Sequence, residues 1–393
     1  MRTEKLKDIT LTITDGKHGD CKNHDGSGYY FISCKDVYDE TIHYENARQI
    51  TEDDFRDADR RTNLAAYDIL ITNSGTIGRM ALVKDIPETR KTTFQKSVAI
   101  VRADTSQVVP NYLYYLLKSK VHDFINSSNG SAQKNLLLST MRDFDISFVD
   151  SFETQHRIAT ILSRYDSLIE NYQKQIKLLE EAAQRLYKEW FVDLRFPGHE
   201  NTKIVDGVPE GWEKKRLIDL VDVQYGYAFD GKLFNSSGEG MPILRIRNIP
   251  DGITSDYTTE EAQDCYIVHN GDIVVGMDGI FHINSWSGGD AYLVQRACSF
   301  RPKEECMKGF IFQAIQEPIK FFEKTLVGAT VAHLGKKHID SIELCIPKNF
   351  ELYKPFSKFY NQRQGLLSQI RLLTEARDRL LPKLMSGEIN VES

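Results

Sequence analysis

Apolar residues recur every three or four positions along two long stretches of the chain. The stripe in the first stretch consists of Ile158, Ile161, Tyr165, Leu168, Tyr172, Ile176, Leu179, Ala183, Leu186 and Trp190. This spacing places the residues on one face of an α-helix. No glycine or proline interrupts residues 151–196, and Pro197 and Gly198 follow directly. The sequence therefore predicts one long helix over 151–196.

A matching stripe lies near the end of the chain and consists of Phe356, Phe359, Arg363, Leu366, Ile370, Leu373, Ala376, Leu380 and Leu384. Arg363 is its one polar member. Pro355 lies near the start of this stretch and Pro382 near its end, where a helix tolerates proline or stops. Two such similar stripes favour two helices that pack on each other as a coiled coil. Two core helices of unrelated domains are the alternative.

The second helix repeats the first in sequence as well as in pattern. Residues 175–179 read Gln-Ile-Lys-Leu-Leu, and residues 369–373 read Gln-Ile-Arg-Leu-Leu. Weaker matches precede both helices in the same order: residues 67–70 with 271–274, residues 74–77 with 278–281, Leu136 with Leu334, and Phe144, Ile146 and Phe148 with Ile342, Leu344 and Ile346. Each half of the chain is therefore predicted to be a variable globule followed by a better-matched helix, as a gene duplication would produce.

The globules carry short apolar runs separated by turn residues, which is the pattern of β-strands. In the first globule we expect strands at 29–32, 69–72, 81–83 and 98–101 and a helix over 111–124. In the second we expect strands at 243–246, 272–275, 292–294 and 297–300 and a helix over 309–326. The expected fold class is α+β, with a first domain over 1–150, a first long helix over 151–196, a second domain over 197–349, and a second long helix with the C-terminal tail over 350–393.

The composition is typical of two folded domains of ordinary size. The chain has 393 residues, of which 41% are hydrophobic and 27% charged. The charged start lacks an apolar stretch and no run of about 18 apolar residues occurs, so neither a signal peptide nor a membrane span is expected. The six cysteines form no Cys-x-x-Cys pair. We therefore expect no disulfide framework or zinc site, and a reducing cytoplasm as the simplest location.

The formal net charge of −6 points weakly away from a nucleic-acid binder. DNA contacts would have to come from a local positive face, with the acidic residues placed elsewhere. Charge alone therefore does not identify a function.

Motifs of the obvious catalytic alternatives do not occur in the sequence. There is no Gly-x-x-x-x-Gly-Lys-Ser/Thr phosphate loop, no Gly-x-Gly-x-x-Gly cofactor segment, no Asn-Pro-Pro-Tyr segment of an amino-methyltransferase and no recognisable nuclease motif. His18, His24 and His43 lack metal-ligand spacing and are expected to be solvated loop residues. Residues 74–78 (SGTIG) are better explained by a tight turn between two strands than by a phosphate-binding loop. No catalytic residue, metal or cofactor is expected on this chain.

Four segments resemble the specificity subunits of type I restriction-modification enzymes. Residues 186–198 (LYKEWFVDLRFPG) resemble the central region of these subunits, and residues 380–389 (LLPKLMSGEI) resemble their C-terminal region. Residues 208–212 (VPEGW) resemble the entry to their second recognition domain, and residues 73–78 (NSGTIG) a segment inside the first. The second copy departs from this pattern, because residues 276–281 (GMDGIF) stand where the turn would be.

The resemblance implies a mechanism and a set of partners. Each globule would be a target-recognition domain that reads one half of a split site on double-stranded DNA. The two helices would form an antiparallel coiled coil with a pseudo-twofold internal repeat, hold the domains apart and dock two modification subunits. Those subunits would carry the methyl donor and methylate adenine, and motor/nuclease subunits that use ATP would complete the complex. The chain itself would be non-catalytic.

Base reading favours Arg or Lys for guanine and Asn or Gln for adenine, while Lys, Arg and hydroxyl groups contact phosphates. On this basis the DNA-binding candidates of the first domain are Lys17, His18, Lys35, Ser74, Thr76, Arg79, Gln95, Lys96 and Lys134. Those of the second domain are Tyr227, Arg245, Arg247, Asn248, His282, Gln295, Arg296, His333, Lys336 and Lys337. An ordinary solvated surface position is the alternative for each of them.

Two other function classes are the alternatives to a DNA-reading subunit. A standalone methyltransferase-nuclease would methylate DNA by itself. A coiled-coil scaffold that binds only protein would show no sequence-dependent DNA binding after the modification subunit is added.

Overall fold

The computed structural model describes residues 1–126, 135–325 and 332–391. The chain divides into two compact units. Unit 1 consists of residues 1–167 and 373–393, and unit 2 consists of residues 168–372. The two long helices each contribute residues to both units.

A four-stranded antiparallel sheet forms the centre of unit 1, and its strand order is β2-β9-β6-β7. The described strands of the unit are β1 (Arg2–Lys5), β2 (Thr10–Asp15), β3 (Tyr30–Ile32), β4 (Val37–Tyr38), β5 (Thr41–Ile42), β6 (Ile69–Thr72), β7 (Met80–Leu82), β8 (Thr92–Phe94), β9 (Val98–Ala103) and β10 (Asp145–Phe148). Its helices are α1 (Glu52–Thr62), α2 (Pro110–Ser119), α3 (Val121–Asn126), α4 (Leu138–Arg142) and the first part of α5 (Phe152–Tyr187). β1 pairs with β10, β3 with β8 and β4 with β5.

The central sheet of unit 1 is covered on both faces. Successive residues of a strand point to opposite faces. Ile69 and Ile71 of β6 belong to one apolar cluster, together with Tyr112 of α2. Leu70, which lies between them, belongs to the cluster that contains Phe94. The continuous apolar run that predicted a strand at 69–72 thus reflects burial on both sides.

Unit 2 is built around a second four-stranded antiparallel sheet, in the order β14-β22-β19-β20. Its described strands are β11 (Ile204–Val205), β12 (Val208–Pro209), β13 (Trp212–Arg216), β14 (Val221–Tyr225), β15 (Phe234–Asn235), β16 (Met241–Leu244), β17 (Tyr257–Thr258), β18 (Ile267–Val268), β19 (Ile273–Gly276), β20 (Ile283–Ser285), β21 (Ala291–Leu293), β22 (Ala297–Pro302) and β23 (Glu343–Pro347). Its helices are α6 (Leu217–Leu220), α7 (Lys308–Ala314), α8 (Gln316–Thr325), α9 (Lys336–Asp340) and the first part of α10 (Lys354–Ser386). A second sheet has the order β15-β17-β16-β21-β18.

The two units share one topology. In each, an antiparallel pair of strands flanks the central sheet: β1 with β10 in unit 1, and β13 with β23 in unit 2. The backbone N–H of Leu6 donates to the carbonyl of Phe144 at 2.9 Å. In unit 2 the N–H of Leu217 donates to Ile342 at 2.8 Å. Phe144 and Ile342 are also paired in the sequence repeat, so the repeat predicted from the sequence is present in the hydrogen bonding.

The first long helix is shorter than the predicted span of 151–196. α5 ends at Tyr187, a single π-helical turn covers Lys188–Val192, and Leu194 has a positive φ of 56°. Phe191 packs against Phe310 of unit 2, with ring centroids 4.7 Å apart. Trp190, its neighbour in sequence, faces Phe356 at 6.0 Å. Two successive residues pack inward at this point, which explains why the regular α-helical turn gives way to a wider one.

The second long helix continues past Pro382, the residue expected near its end. α10 reaches Ser386, and Gly387 follows with a φ of +76°. Within unit 1, Leu381 and Leu384 of α10 belong to the same cluster as Ile158 of α5. A glycine with positive φ directly after a helix is a common way to end it.

Other predicted elements differ from the structure at their ends. The helix expected over 111–124 is two helices, α2 and α3, which are divided at Lys120. The helix expected over 309–326 is divided at Ile315 into α7 and α8, and Leu326 lies outside the described residues. The predicted strands agree within one or two residues, but the edge strands β2 and β14 were not predicted. None of the helices in the described ranges combines the length and the apolar character that a membrane span requires.

Candidate nucleic-acid interface

In unit 1, several strand ends and connecting loops lie together at one end of the central sheet. β2 and β6 end there, and β9 and β7 begin there, because neighbouring strands of this sheet are antiparallel. β3 and β8 are parallel to each other, and both end beside these loops. We define the loop end of unit 1 as residues 16–18, 33–36, 73–79 and 95–97.

Backbone hydrogen bonds hold the loop end of unit 1 together. Lys17 N–H donates to the carbonyl of Phe94 at 2.8 Å, and Lys96 N–H donates to Lys17 at 3.2 Å. Asn73 N–H donates to Ser97 at 3.0 Å. A Cβ atom on Gly16 would lie 1.9 Å from the Phe94 carbonyl oxygen. The close approach of these two strands therefore requires glycine at position 16.

The loop over residues 73–79 is the tight turn expected between two antiparallel strands. Thr72 is buried, and its hydroxyl donates to the carbonyl of Thr76 and accepts from the N–H of Arg79 at 2.9 Å. Gly75 and Gly78 have positive φ angles of 77° and 88°. The turn leaves the side chains of Thr76 and Arg79 exposed.

The structure brings most of the first-domain candidates together at this loop end. Lys35, Arg79 and Lys96 are exposed and have no acidic partner within the described residues. Ser74, Thr76 and Gln95 lie beside them in the loops, and Ser74 forms a bridge to Asn135. Lys134 lies outside the described residues. Three unpaired cations with adjacent hydroxyl and amide groups suit contacts to phosphates and bases.

Two of the first-domain candidates are engaged in contacts inside the unit. Lys17 Nζ lies 3.0 Å from Asp57 Oδ2, and the hydrogen bond to Asp57 raises the pKa of Lys17. His18 Nε2 lies 2.9 Å from Asp15 Oδ2. Asp15 also accepts from Arg61 at 2.7 Å. Asp57 offsets the charge of Lys17, and Asp15 occupies a ring nitrogen of His18, which makes these two residues weaker candidates for DNA contact than the unpaired cations.

The loop end of unit 2 uses the same backbone hydrogen bonds. Tyr227 N–H donates to Leu293 at 2.9 Å, Gln295 N–H donates to Tyr227 at 2.8 Å, and Met277 N–H donates to Arg296 at 2.8 Å. A Cβ atom on Gly226 would lie 2.2 Å from the carbonyl oxygen of Val294. This loop end comprises residues 226–227, 245–248, 277–282, 294–296 and 333–337, the last of which adjoins Met277 and Asp278. Each of the three backbone bonds has a counterpart in unit 1.

The loop after β19 is one residue shorter than its counterpart in unit 1. Gly276 N–H donates to the carbonyl of His282, whereas Thr72 N–H donates to that of Arg79. Residues 276–281, which depart from the turn sequence of unit 1, therefore form a shorter loop at the same position. The shorter loop still returns the chain to the same sheet, because β20 pairs with β19 as β7 pairs with β6.

A carboxylate occupies the position in unit 2 that Ser74 occupies in unit 1. Asp278 forms a bridge to His333, as Ser74 does to Asn135. Asp278 Oδ2 accepts from Arg296 Nη1 at 2.9 Å, and Asp278 Oδ1 lies 2.5 Å from His333 Nδ1. The side chains of Arg296 and His333 are 58% and 51% exposed. Two predicted candidates are thus joined by an acidic residue that was not predicted.

The other second-domain candidates fall into two groups. Arg247 binds Asp256 through two nitrogens, and this pairing raises the pKa of Arg247. The side chain of Asn248 accepts from the N–H of Arg245 at 2.9 Å, so it stabilises its own turn. The guanidinium of Arg245 lies 5.3 Å from the Phe234 ring. Lys336 and Lys337 at the start of α9 are exposed, without an acidic partner among the described residues, while Tyr227, His282 and Gln295 lie in the loop-end segments.

Asp278 is the residue at this surface that sequence reasoning missed. The signal was available, since residues 74–77 already matched residues 278–281 in the repeat. Base contacts were expected from cations and amides, so a carboxylate was not among the candidates. His43 is a loop residue, as expected, but it is less solvated than expected, because its side chain is 26% exposed and its ring stacks on Tyr38 with centroids 3.5 Å apart.

Within the described ranges, no group of three or more His, Cys, Asp or Glu side chains is arranged to hold a metal ion. The two loop ends offer cations, amides and hydroxyl groups for binding a polyanion and for hydrogen bonding, and the loop end of unit 2 adds the carboxylate of Asp278.

Comparison with known proteins gives one consistent family. The sequence model of the type I restriction modification DNA specificity domain matches residues 3–181 and 209–371. The MjaIX specificity subunit of a type I restriction enzyme from Methanocaldococcus jannaschii is 29% identical, over 94% of this chain and 89% of that protein. The EcoBI specificity subunit from Escherichia coli is 25% identical over 47% of this chain and 35% of its own length.

A solved structure supports the fold. The S subunit of a type I restriction-modification system from M. genitalium superposes with a TM-score of 0.56 at 18% identity, over 98% of this chain and 96% of that one. The family model matches one stretch in each half of the chain, which agrees with the repeat seen in the hydrogen bonds. The chain therefore belongs to the family of DNA specificity subunits of type I restriction-modification systems.

Proposed function

We propose that each loop end binds one half of a bipartite DNA site, and that α5 and α10 set the spacing between the halves. In this proposal the two helices form an antiparallel coiled coil within a pseudo-twofold repeat and dock two modification subunits. Those subunits supply the methyl donor site, and motor/nuclease subunits supply ATP-driven cleavage. The chain itself selects the sequence and catalyses no reaction.

The observation that carries the proposal is the repeated hydrogen-bonded frame of the two loop ends. A frame that is the same in both units presents different side chains in each: Lys35, Arg79 and Lys96 in unit 1, and Arg296 and His333 in unit 2. A DNA target with two unlike halves requires different base-contacting side chains at the two sites, and the same backbone arrangement can carry both sets. The formal net charge of −6 does not oppose this, because Lys35, Arg79 and Lys96 at the loop end of unit 1 are exposed and have no acidic partner among the described residues.

Contacts between the helices support the antiparallel coiled coil. In unit 2, Tyr187 near the end of α5 faces Phe356 near the start of α10, and Glu180 contacts Arg363. In unit 1, Asp166 contacts Arg377. Within unit 2, later residues of α5 meet earlier residues of α10, which is the order of an antiparallel pair.

Two exposed leucines support docking of two identical partners. The side chains of Leu178 on α5 and Leu372 on α10 are 64% and 57% exposed. The two residues are equivalent in the sequence repeat, since each is the first leucine of the Leu-Leu pair that ends its matched segment. Because the position is repeated on both helices, the proposal assigns one copy of the modification subunit to each helix.

The test is to map methylated adenines in DNA from cells that express the chain with its modification partner. We expect a bipartite motif with a fixed spacer. In a chimera, residues 1–150 are replaced by those of another family member, and only one half of the motif should change. The chain expressed without the partner is the control and should give no methylation. Methylation by the chain alone, or a chimera that leaves both halves unchanged, would contradict the proposal.

A further inference from the structure

We propose that Asp278 holds Arg296 in the orientation that reads one guanine in the half-site bound by unit 2. Arg296 is the reading residue, and Asp278 is a positioning residue that acts through it. The inference rests on the proposed function, because it assumes that the loop end of unit 2 binds DNA.

The geometry of the pair fixes the arginine while leaving most of it available. Asp278 accepts one hydrogen bond from Arg296 Nη1 at 2.9 Å. A guanidinium carries five N–H donors in a rigid plane. The Arg296 side chain is 58% exposed, whereas that of Asp278 is 21% exposed. The carboxylate is thus the partly buried anchor, and the arginine extends from it toward solvent.

His333 holds the carboxylate from the other side. Its Nδ1 lies 2.5 Å from Asp278 Oδ1, while Arg296 contacts Oδ2. Backbone hydrogen bonds join the adjacent residues, since Met277 N–H donates to the carbonyl of Arg296 and Leu334 N–H donates to that of Met277. Both oxygens of Asp278 therefore have partners, and the carboxylate plane is fixed before DNA arrives.

Arg296 is also held in an unusual backbone conformation. Its φ is +74°, in the left-handed region that side chains other than glycine seldom adopt. Such conformations persist where the surroundings impose them, and they are frequent at ligand-binding positions. Here the backbone turn directs the Arg296 side chain to Asp278.

Unit 1 does not contain this arrangement. Ser97 occupies the position of Arg296, because Asn73 N–H donates to Ser97 as Met277 N–H donates to Arg296. Ser74 and Asn135 occupy the positions of Asp278 and His333. The pair is therefore a feature of one reading surface and not a requirement of the common frame.

The charge of the pair favours base reading over phosphate binding. Asp278 offsets the charge of Arg296, so the pair attracts a phosphate less than Lys336 or Lys337, which are exposed and unpaired among the described residues. An arginine with a fixed plane can donate two parallel hydrogen bonds to O6 and N7 of guanine. A fixed guanidinium therefore contributes more to guanine recognition, which depends on the direction of the hydrogen bonds, than to phosphate binding.

The first test is motif mapping with the complex of this chain and its modification subunits. Asp278→Ala should relax one position of the second half-site, so that guanine is no longer required there, and leave the first half-site unchanged. Asp219→Ala is the matched control, since Asp219 pairs with Arg216 at 3.1 Å and contacts Lys303, at the opposite end of β22. The control should retain the full motif.

The second test identifies the base atom. Once the motif is known, 7-deazaguanine is placed at each guanine of the second half-site in turn, which removes the N7 acceptor. One such position should weaken binding by the wild-type complex by about tenfold and have no effect on the Arg296→Ala complex. Arg296→Ala itself should weaken binding of the cognate site by roughly 5- to 150-fold.

The outcomes separate the inference from the proposed function. If the wild-type complex shows no bipartite motif, the proposed function fails. If the motif is bipartite but Asp278→Ala and Arg296→Ala both leave every position unchanged, the inference fails alone. If Arg296→Ala lowers the salt dependence of binding without relaxing any base position, Arg296 contacts a phosphate and the inference is again wrong.

Discussion

Arg363 on α10 donates from Nε to Oε1 of Glu180 on α5 at a distance of 2.6 Å, inside unit 2. The same guanidinium donates to Asn284 Oδ1 at 2.9 Å and to the hydroxyl of Ser285, and it lies 5.6 Å from the Phe312 ring. Arg363 is the one polar residue in the apolar stripe of α10. It stands there because its side chain joins both helices to the edge strand β20.

Replacing Arg363 is expected to destabilise unit 2. Arg363→Ala removes the hydrogen bonds that the buried Ser285 hydroxyl and the Glu180 carboxylate receive from the guanidinium, which should cost about 2–4 kcal/mol in the free energy of unfolding. Urea unfolding followed by circular dichroism measures this loss. Arg371→Ala, an exposed position on the same helix, is the control and should change the free energy by less than about 0.5 kcal/mol. Equal effects at the two positions would contradict the assignment.

Lengthening the helices is expected to lengthen the DNA spacer. One added turn in both α5 and α10 extends each by about 5.4 Å, and DNA rises about 3.4 Å per base pair, so the spacer should grow by one to two base pairs. Insertions after Ser167 and after Leu372 fall where the two units divide. Mapping of methylated adenines gives the new spacer. An unchanged spacer in an active variant would rule out the helices as its determinant.

Lys336 and Lys337 are expected to contact phosphates. Replacing both with alanine should weaken binding of all DNA sequences to a similar degree, and it should lower the salt slope of the association constant by about two. Titrations of the complex at several salt concentrations measure both quantities. Lys214→Ala with Lys215→Ala on β13 is the control pair outside the loop end, and its slope should equal that of the wild type. A double variant at 336 and 337 that binds like wild type at every salt concentration would disprove the assignment.

Alkaline pH is expected to weaken the packing around Tyr187. Burial raises the pKa of Tyr187 to about 12, above the value near 10 of an exposed tyrosine. The folded state therefore holds the phenol proton more tightly than the unfolded state does. The resulting stability is fully present below pH 10 and is lost between about pH 10 and 12, to an extent of at most roughly 2–3 kcal/mol.

The check is the urea midpoint measured from pH 8 to pH 12 for the wild type and for Tyr187→Phe. The phenylalanine variant lacks the titrating group, so its midpoint should fall less steeply over this range. Identical pH profiles for the two proteins would show that Tyr187 does not contribute to the alkaline transition.

Sequence patterns predicted the parts of the fold that rest on local periodicity and on the repeat. The apolar run at residues 69–72 and the stripes of α5 and α10 depend on burial, which leaves a direct trace in residue type. β2 was missed because four of its six residues, Thr-Leu-Thr-Ile-Thr-Asp, are polar and its position depends on pairing with β9. Edge strands of this kind are specified by a partner that is distant in sequence.

The candidate site was predicted in its position but not in its internal contacts. The glycine-containing loops marked where the chain turns, and the structure places most of the candidates at these turns. The ion pair of Lys17 with Asp57 joins residues 40 positions apart, and that of Arg296 with Asp278 joins residues 18 apart. No spacing rule links such pairs, so only the fold could show which cations are already paired.

The unequal loops after β6 and β19 differ from each other while the strands that hold them do not. The strands before and after each loop carry the same backbone hydrogen bonds, and the loops between them differ in length and in side chains. We therefore expect substitutions of the exposed residues other than glycine in these loops to leave the strand pairing intact. Under the proposed function, a new DNA target would arise by exchanging a few loop residues in one unit at a time, while the strand pairing of the other unit stays unchanged.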